Sequence, residues 1–291
     1  MRSWYRHLLH EWTVASRRSI LPAFARPQPE MWDDRQLTAA WLGHATVLLN
    51  FFGFRILTDP VFFARIGVRF PGFTIGPKRL TQPALRLRDL PPIDLILLSH
   101  AHFDHFDLPT LRRLPPSADV ITAPRTLDLL RGLPFRSKTE LSWGQTMEVR
   151  RAVGALLVRA FEVKHWGARM QYDHYRGYNG YVLERNGCRL IFGGDSAFTD
   201  RFRTLHDRKP YELAIMSIGA YNPWVRAHAS PEEAIAMANA AGAEHIMPVH
   251  HQTFRLSAEP FREPIERFEA ALRHSPERIA LREIGETFRL S

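Results

Sequence analysis

Short apolar runs separated by turn residues predict more strands than helices in this chain. Residues 93–98 and 188–192 are rich in Ile, Leu and Phe and have the length of buried strands. The Asn186-Gly187 pair before the second run predicts a tight hairpin. Helical signals are fewer, and the clearest lies at 230–241, where Ser and Pro begin the pattern. A chain of 291 residues with this pattern forms two ordinary domains or one large α/β or sandwich domain.

The character of the sequence changes after Pro29, and the first predicted strand begins at Thr38. We therefore expect an N-terminal extension over residues 1–37 and one main domain over 38–291. In the extension, apolar residues recur at helical spacing between Tyr5 and Trp12 and are flanked by arginines. This amphipathic pattern fits an interfacial helix on anionic lipid, and equally a helix that docks onto the protein itself or onto a second subunit.

Two other segments stand out before any chemistry is considered. Residues 60–92 lack periodicity and are rich in Phe, Pro, Gly and Arg, which predicts a functional loop that walls a substrate pocket. Residues 99–105 read Ser-His-Ala-His-Phe-Asp-His and directly follow a predicted buried strand. Extended backbone would direct His100 and His102 to the same side, so both could bind one ion, while Asp104 and His105 reach a second.

Further candidate ligands follow the ends of three other predicted strands. His165 comes after a strand ending near residue 163, Asp195 after one ending near 192, and His250 or His251 after one ending near 249. Seven candidate ligands at the ends of strands predict two adjacent metal sites on a rigid scaffold. Imidazoles and carboxylates suit Zn²⁺ and also Mn²⁺ or Fe²⁺, so ligand type alone does not choose the metal; we expect two divalent ions, with Zn²⁺ as the first choice.

Composition narrows the classes of function. The chain carries 39 Lys and Arg against 30 Asp and Glu, a net charge of +9, which fits nucleic acid, anionic lipid or a phosphorylated substrate, or simply a basic surface. We do not expect nucleic acid as a partner, because the basic and aromatic array that single strands require is missing. The single Cys188 excludes a disulfide framework and a thiolate-rich zinc site.

The sequence has no apolar run of membrane-spanning length, and charged residues interrupt the N-terminus where a signal peptide would need an apolar core. We therefore expect a cytoplasmic protein. The amphipathic pattern in the extension adds two alternatives, a peripheral contact with the inner membrane and a homodimer.

The ligand stretch resembles the His-x-His-x-Asp-His signature of hydrolases with the metallo-β-lactamase fold. Within that superfamily the chain is most similar to the branch of N-acylphosphatidylethanolamine-hydrolysing phospholipase D, and it also resembles ascorbate-phosphate lactonases. The likeness covers residues 38 to 260. Its further motifs are Trp41 to Thr46, Leu57 to Pro60, Gly193 to Ser196, Ile218 to Tyr221, His228 to Ala234 and His250 to Phe254.

The resemblance implies a four-layer αββα sandwich of the α/β (α+β) class with a dinuclear site at one edge of its sheets. It implies that one divalent ion is held by His100, His102 and His165, that the other is held by Asp104, His105 and His250, and that Asp195 bridges them. His250 is chosen over His251 because the family ligand stands three residues before Thr-Phe, as His250 does before Thr253-Phe254.

Three more residues are predicted to act around the metals. Asp59 follows a strand and is expected to hold a ligand histidine by a hydrogen bond, with a turn cap as the alternative. His228 precedes a helix and either contacts the substrate, through a phosphate or a leaving oxygen, or lies on the surface. Asp59, Asp104 and His228 are thus the predicted catalytic residues. His44 is expected to be packed and hydrogen-bonded, since the ligand set is already complete.

Aromatic residues near the ligand segments are candidates for an apolar substrate pocket, with ordinary core positions as the alternative. We favour the pocket for Trp166, Tyr221 and Trp224, which lie in segments with Gly or Pro.

A hydroxide held between two cations would attack phosphorus or a carbonyl carbon without a Ser or Cys nucleophile. The first hypothesis is a phosphodiesterase of the phospholipase D type acting on a small or phospholipid-like substrate. The second is a lactonase or another ester or amide hydrolase. A nucleic-acid-processing enzyme and a non-enzymatic binding protein are the remaining alternatives.

Overall fold

A computed structural model of the chain describes residues 18–290, in which strands hold more residues than helices. The strands in chain order are β1 (Leu37–Gly43), β2 (Thr46–Phe51), β3 (Phe54–Thr58), β4 (Val68–Phe70), β5 (Phe73–Ile75), β6 (Leu95–Leu98), β7 (Asp119–Thr122), β8 (Ser137–Glu140), β9 (Thr146–Arg151), β10 (Gly154–Phe161), β11 (Gly180–Arg185), β12 (Cys188–Phe192), β13 (Tyr211–Ser217), β14 (Ala243–Val249) and β15 (Thr287–Arg289).

The helices are short and few in the described residues. The α-helices are α1 (Leu108–Leu111), α2 (Pro231–Ala241) and α3 (Glu263–Ala271), and the 3-10 helices are Pro29–Met31, Leu87–Asp89, Leu127–Leu130, Asp200–Leu205 and Pro276–Arg278. No helix within residues 18–290 is long and apolar enough to cross a membrane.

The strands form two large sheets and one separate hairpin. The first sheet has the order β15-β1-β2-β3-β6-β7-β8, the second has the order β14-β13-β12-β11-β10-β9, and β4 pairs only with β5. In the second sheet β12, β13 and β14 are parallel, while β11 is antiparallel to both β10 and β12. Strands β10, β12, β13 and β14 therefore end at the same edge of the sheet.

Alternate residues of the second sheet pack into different layers. Leu190 and Phe192 join the core cluster between the two sheets, whereas Ile191 packs in the cluster with Ile235 of α2 and Phe268 of α3. This alternation is the expected result of a two-residue period in a sheet that is covered on both faces.

The outer layer over the first sheet is thin. Strand β6 is fully buried, and Leu111 of α1 and Leu130 of a 3-10 helix belong to the same cluster as its residues. Short helical segments thus cover this sheet, as α2 and α3 cover the other. The predicted αββα sandwich is confirmed, with unequal outer layers.

Local sequence explains the ends of α2. The Ser230 side chain accepts from the Glu233 N–H at 3.3 Å, and the Glu233 carboxylate accepts from the Ser230 N–H at 2.9 Å. This capping box contributes about 1 kcal/mol. Gly242 ends the helix in the left-handed conformation, with φ of 81°.

Two elements differ from the sequence prediction. Strand β8 was not predicted, because its residues Ser137–Glu140 are all polar and half-buried at the edge of the sheet. Residues 124–130, whose Pro124 near a first turn predicts a short helix, form only a 3-10 turn at Leu127–Leu130, where the Glu140 carboxylate accepts from the N–H groups of Thr126 and Leu127 at 2.7 Å each.

The N-terminal extension is described only from residue 18. The Leu21 N–H donates to Leu80 O at 2.8 Å, and the Ala25 N–H donates to Ile284 O at 3.2 Å, so this part of the extension lies against the main domain. The predicted helix between Tyr5 and Trp12 lies outside the described residues, and the boundary at residue 37 stays a prediction.

Candidate metal centre

The ends of four strands bring the predicted ligands together. Strand β6 leads into residues 99–105, β10 into His165, β12 into Asp195 and β14 into His250. Because β10, β12 and β14 run in the same direction, their ligands meet at one edge of the second sheet, where the β6 loop of the first sheet joins them. All seven predicted ligands lie there, in groups whose ligand atoms are within 4.8 Å of one another or of Asp195.

The first group consists of three imidazoles. His102 Nδ1 lies 2.8 Å from His100 Nε2 and 3.3 Å from His165 Nε2. Burial lowers the pKa of His100 and of His165 well below the usual value, and it lowers the pKa of His102 to about 4. These rings are therefore neutral near pH 7, the state in which histidine binds a metal.

Hydrogen bonds fix the tautomers of the rings. His165 Nδ1 donates to Ala227 O at 2.9 Å, and His100 Nδ1 donates at 2.9 Å to Ser99 Oγ, whose own proton goes to Asp59. In both rings Nε2 is left unprotonated and directed at His102. The Nε2 atoms of His100 and His165 and the Nδ1 atom of His102 thus converge on one point, as the ligands of a metal ion do.

The second group contains His44, Asp104, His105 and His250. Asp104 Oδ2 lies 2.9 Å from His44 Nε2, 3.5 Å from His105 Nε2 and 3.4 Å from His250 Nε2. Burial alone would raise the pKa of Asp104, but the neighbouring histidines hold it well below its usual range. The carboxylate is therefore ionised.

Asp195 lies between the two groups. Its Oδ2 atom is 3.1 Å from His105 Nε2, 3.1 Å from His250 Nε2 and 3.9 Å from His165 Nε2. Its Oδ1 atom accepts from Ser217 Oγ at 2.9 Å. Burial works against ionisation, yet His105 and His250 hold the pKa of Asp195 well below the usual value.

The donor set fits divalent cations. Three buried atoms, Asp195 Oδ2, His105 Nε2 and His250 Nε2, lack a hydrogen-bond partner among the described residues although they point at one another. Unpaired buried polar atoms are costly, and in native proteins they indicate a bound ion or another unseen partner. Nitrogen and carboxylate oxygen are the ligands of Zn²⁺, Mn²⁺ and Fe²⁺, so metal ions would satisfy these atoms.

Asp59 forms a hydrogen bond with His105, a member of the second group. Its carboxylate accepts from His105 Nδ1 at 2.7 Å and from the Ser99 N–H at 2.7 Å, and the side chain is fully buried. Asp59 therefore lies where the sequence predicted a group that holds a ligand histidine.

His44 is packed and hydrogen-bonded, as expected, but it belongs to the site. Besides its contact with Asp104, its carbonyl accepts from the His250 N–H at 3.0 Å, and its own N–H donates to Thr253 Oγ1 at 2.6 Å. Sequence reasoning missed this link. The only signal was the Gly43-His44 break between two strands, where His44 has a φ of 55°.

His250 and His251 point to different surroundings. His250 Nε2 faces Asp195, whereas the His251 ring packs against Trp41 with 4.5 Å between ring centroids. The geometry agrees with the choice of His250.

The other predicted residues differ in their distance from the centre and in their exposure. His228 Nδ1 lies 3.6 Å from Asp195 Oδ2, and the Trp166 ring lies 4.7 Å from that of His102 with 41% of its surface exposed. Trp224 is exposed and its carbonyl accepts from the His228 N–H at 2.9 Å. Tyr221 is buried and its hydroxyl donates to Glu263 at 2.6 Å, so its ring offers little surface to a ligand.

The family follows from comparison with known proteins. The beta-lactamase superfamily domain model matches residues 54–251, a range that includes the ligand segments from 99 to 250. The chain belongs to this superfamily. It is a metal-dependent hydrolase by family, and its phospholipase D and metallo-hydrolase relatives agree with that assignment.

Two proteins are similar in sequence to more of this chain than the superfamily domain alone. An uncharacterized protein of Mycobacterium tuberculosis is 33% identical over 279 residues, which are 92% of this chain and 72% of the relative. The N-acyl-phosphatidylethanolamine-hydrolyzing phospholipase D 1 of Caenorhabditis elegans is 31% identical over 261 residues, which are 84% of this chain and 72% of the relative.

A solved structure agrees on the fold. The metallo hydrolase of the archaeon Ignicoccus hospitalis is 19% identical, with a TM-score of 0.64 over 88% of this chain and 99% of that one. The superfamily fold is thus supported independently of the sequence match.

Proposed function

We propose that this hydrolase is a dinuclear phosphodiesterase of the N-acylphosphatidylethanolamine phospholipase D type. The observation that carries the proposal is the position of Asp195 Oδ2, which lies within 3.9 Å of nitrogens from both ligand groups. One buried oxygen shared by two groups is the arrangement that a pair of adjacent cations requires. The similarity to the phospholipase of Caenorhabditis elegans supports the substrate class.

Two divalent ions, preferably Zn²⁺, would divide the ligands as the sequence predicted. His100, His102 and His165 would hold one ion, Asp104, His105 and His250 would hold the other, and Asp195 would bridge. When bound, the ions supply Lewis-acid stabilisation of phosphoryl charge and lower the pKa of water toward neutrality.

The protein's own part is to hold these ligands still. Asp59 fixes His105, Ala227 O fixes His165, and His44 donates to Asp104. The bonds to Asp59 and Ala227 O occupy Nδ1 of His105 and His165 and leave Nε2 of each ring directed at the centre, so these ligand positions exist before the ions bind. Such support contributes about 10-fold to 100-fold in metal affinity in known metal sites.

His228 is the candidate for contact with the reacting group. Burial lowers its pKa to about 4, so the ring is neutral at pH 7 and carries a single proton. Because Nδ1 lies 3.6 Å from Asp195 Oδ2, a hydrogen bond from His228 to a phosphoryl or leaving oxygen at the centre is within reach. Trp166 and Trp224 would form the neighbouring wall of the pocket.

The test pairs metal content with three substrates. Wild-type protein should hold about two equivalents of metal by elemental analysis and should hydrolyse bis(p-nitrophenyl) phosphate and N-acylphosphatidylethanolamine. Asp195→Ala should lose metal and activity together, while Asp200→Ala, at an exposed carboxylate, should lose neither. Turnover of a lactone with neither phosphodiester hydrolysed would replace the proposal with the lactonase alternative, and a protein that binds no metal would refute both.

A further inference from the structure

The hairpin β4-β5 projects from the loop that follows Asp59 and pairs with neither large sheet. Its register places Val68 opposite Ile75 and Phe70 opposite Phe73. Since side chains two residues apart lie on the same face of a strand, these four apolar side chains share one face. The rings of Phe70 and Phe73 stack with 5.2 Å between centroids.

This face is open to solvent. Val68 is 39% exposed, Phe70 42%, Phe73 49% and Ile75 41%. Single exposed apolar residues are ordinary, but four on one face of a two-stranded ribbon form a contiguous apolar patch, which usually marks an interaction surface.

At the base of the hairpin the backbone segments at Gly67 and Gly76 approach each other closely. A Cβ added at Gly67 would lie 2.1 Å from Ile75 O, and one at Gly76 would lie 2.1 Å from Ile66 O. Only glycine fits at both positions, so the apolar face is held out from the body by a defined backbone structure.

Positive charge lies next to the patch. The groove that the hairpin borders is lined by five arginines, Arg65, Arg69, Arg112, Arg169 and Arg176, and by two carboxylates, Asp107 and Asp173. Arg69 is paired with Thr74 on the other face of the hairpin and is exposed. An apolar patch with cations next to it matches the interface of an anionic bilayer, where apolar side chains enter the acyl boundary and cations meet the headgroups.

The patch also lies beside the candidate metal centre. A groove of about 740 Å³ is bordered by the hairpin, by the α1 segment and by residues 169–176. Phe103, which sits between His102 and Asp104 in the ligand stretch, lines this groove, and the Arg169 guanidinium lies 4.0 Å from the Phe103 ring centre. Tyr172, 79% exposed, borders the same groove and adds an aromatic ring of the kind enriched at membrane interfaces.

We propose that the apolar face of the β4-β5 hairpin docks the protein onto an anionic lipid bilayer. Docking there would place the groove, and the ligand stretch that borders it, next to the membrane surface. The inference rests on the proposed function, because it supplies the surface from which a lipid hydrolase would take its substrate.

A second copy of the chain is a poorer match for this face. In a two-fold interface the same patch meets itself, so the exposed Arg69 and Arg112 of one copy would lie near those of the other, and the arginines of this groove outnumber its two carboxylates. Negative headgroups remove that repulsion.

The test measures partition of the full-length protein onto vesicles of phosphatidylcholine with and without 30% phosphatidylglycerol by co-sedimentation, without any turnover. Wild-type protein should bind the anionic vesicles about tenfold more tightly than the neutral ones, and added salt should reduce the difference. Phe70→Ser/Phe73→Ser and Val68→Ser/Ile75→Ser should each weaken partition by about tenfold.

A matched control separates this patch from general surface hydrophobicity. Val153 directly precedes β10 and Leu157 lies within it, and their side chains are 46% and 40% exposed, so Val153→Ser/Leu157→Ser should leave partition unchanged. Circular dichroism and thermal melts establish that each variant folds.

Wild-type protein that does not bind vesicles, or hairpin variants that bind as well as wild type, would overturn the inference. A loss of dimer in the hairpin variants, with vesicle binding retained, would assign the face to a second copy. Vesicle binding that depends on the hairpin, in a protein without phosphodiesterase activity, would leave this inference standing and refute the proposed function.

Discussion

His105 Nδ1 donates to Asp59 Oδ2 across 2.7 Å, and neither side chain has exposed surface. The bond orients the ring so that His105 Nε2 faces Asp195 Oδ2 across 3.1 Å. Ser99 satisfies the remaining capacity of the Asp59 carboxylate through its N–H and its hydroxyl. A residue 46 positions away from His105 thus decides which of its nitrogens faces the centre.

Replacing Asp59 by Asn should weaken metal binding by about 10-fold to 100-fold, because one acceptor oxygen becomes a donor while the size of the side chain is kept. Titration of the apoprotein with Zn²⁺ against a competing chelator measures the change. Asp34→Asn, at a carboxylate that is 63% exposed and pairs with Arg55, is the control and should bind metal as wild type does. Equal affinity in the Asp59 variant would show that the hydrogen bond does not support the site.

The neighbouring histidines at 250 and 251 allow a matched pair of variants. His250→Asn should lose about one equivalent of metal and more than about 100-fold in activity, because its Nε2 atom faces both Asp104 and Asp195. His251→Asn should keep its metal content, since the His251 ring packs on Trp41 instead. Elemental analysis of both proteins measures the metal content, and loss of metal in His251→Asn alone would show that His251 is the ligand.

Much of this centre could be predicted from sequence, because its ligands directly follow predictable strands. The apolar run before His100 and the strands before His165, Asp195 and His250 are recognisable from residue type alone. Parallel strand direction then places their ends at one edge. The fold was likewise accessible through the motif at residues 99–105.

Apart from Asp59, the supporting contacts could not be predicted from sequence, because they join residues that lie far apart in the chain. His44 and Asp104 are separated by 60 residues, and the Asp195 contact with His228 depends on a loop that has no periodic pattern. Tyr221 illustrates the opposite case, since its neighbouring Gly predicted a pocket wall and the ring is buried against Glu263 and Arg267. The exposed hairpin face escaped notice because strands of three residues give too little alternation to identify.

Removal of metal should destabilise the fold as well as abolish activity. Without cations, the unpaired atoms of His105, Asp195 and His250 remain buried and close together. A ligand that binds only the native state at 1,000 times its Kd adds about 4 kcal/mol to the free energy of unfolding. Melts with a chelator and after addition of Zn²⁺ should therefore differ by several degrees, and His250→Asn should show a smaller difference. Identical melting temperatures in the wild type would argue against a metal at this centre.

Trp166 allows substrate binding to be separated from chemistry. Its ring lies 4.5 Å from the His165 ring, yet 41% of its surface is exposed, so it can contact a ligand beside the metal ligands without being one. Trp166→Ala should raise KM for N-acylphosphatidylethanolamine by about tenfold, which corresponds to about 1.4 kcal/mol of lost contact, with kcat and metal content nearly unchanged. Phe24→Ala, at a ring that is 71% exposed, is the control and should change neither constant. A fall in kcat together with loss of metal would show that the Trp166 ring acts by packing the ligand histidines, and the pocket wall would then have to be sought at Trp224.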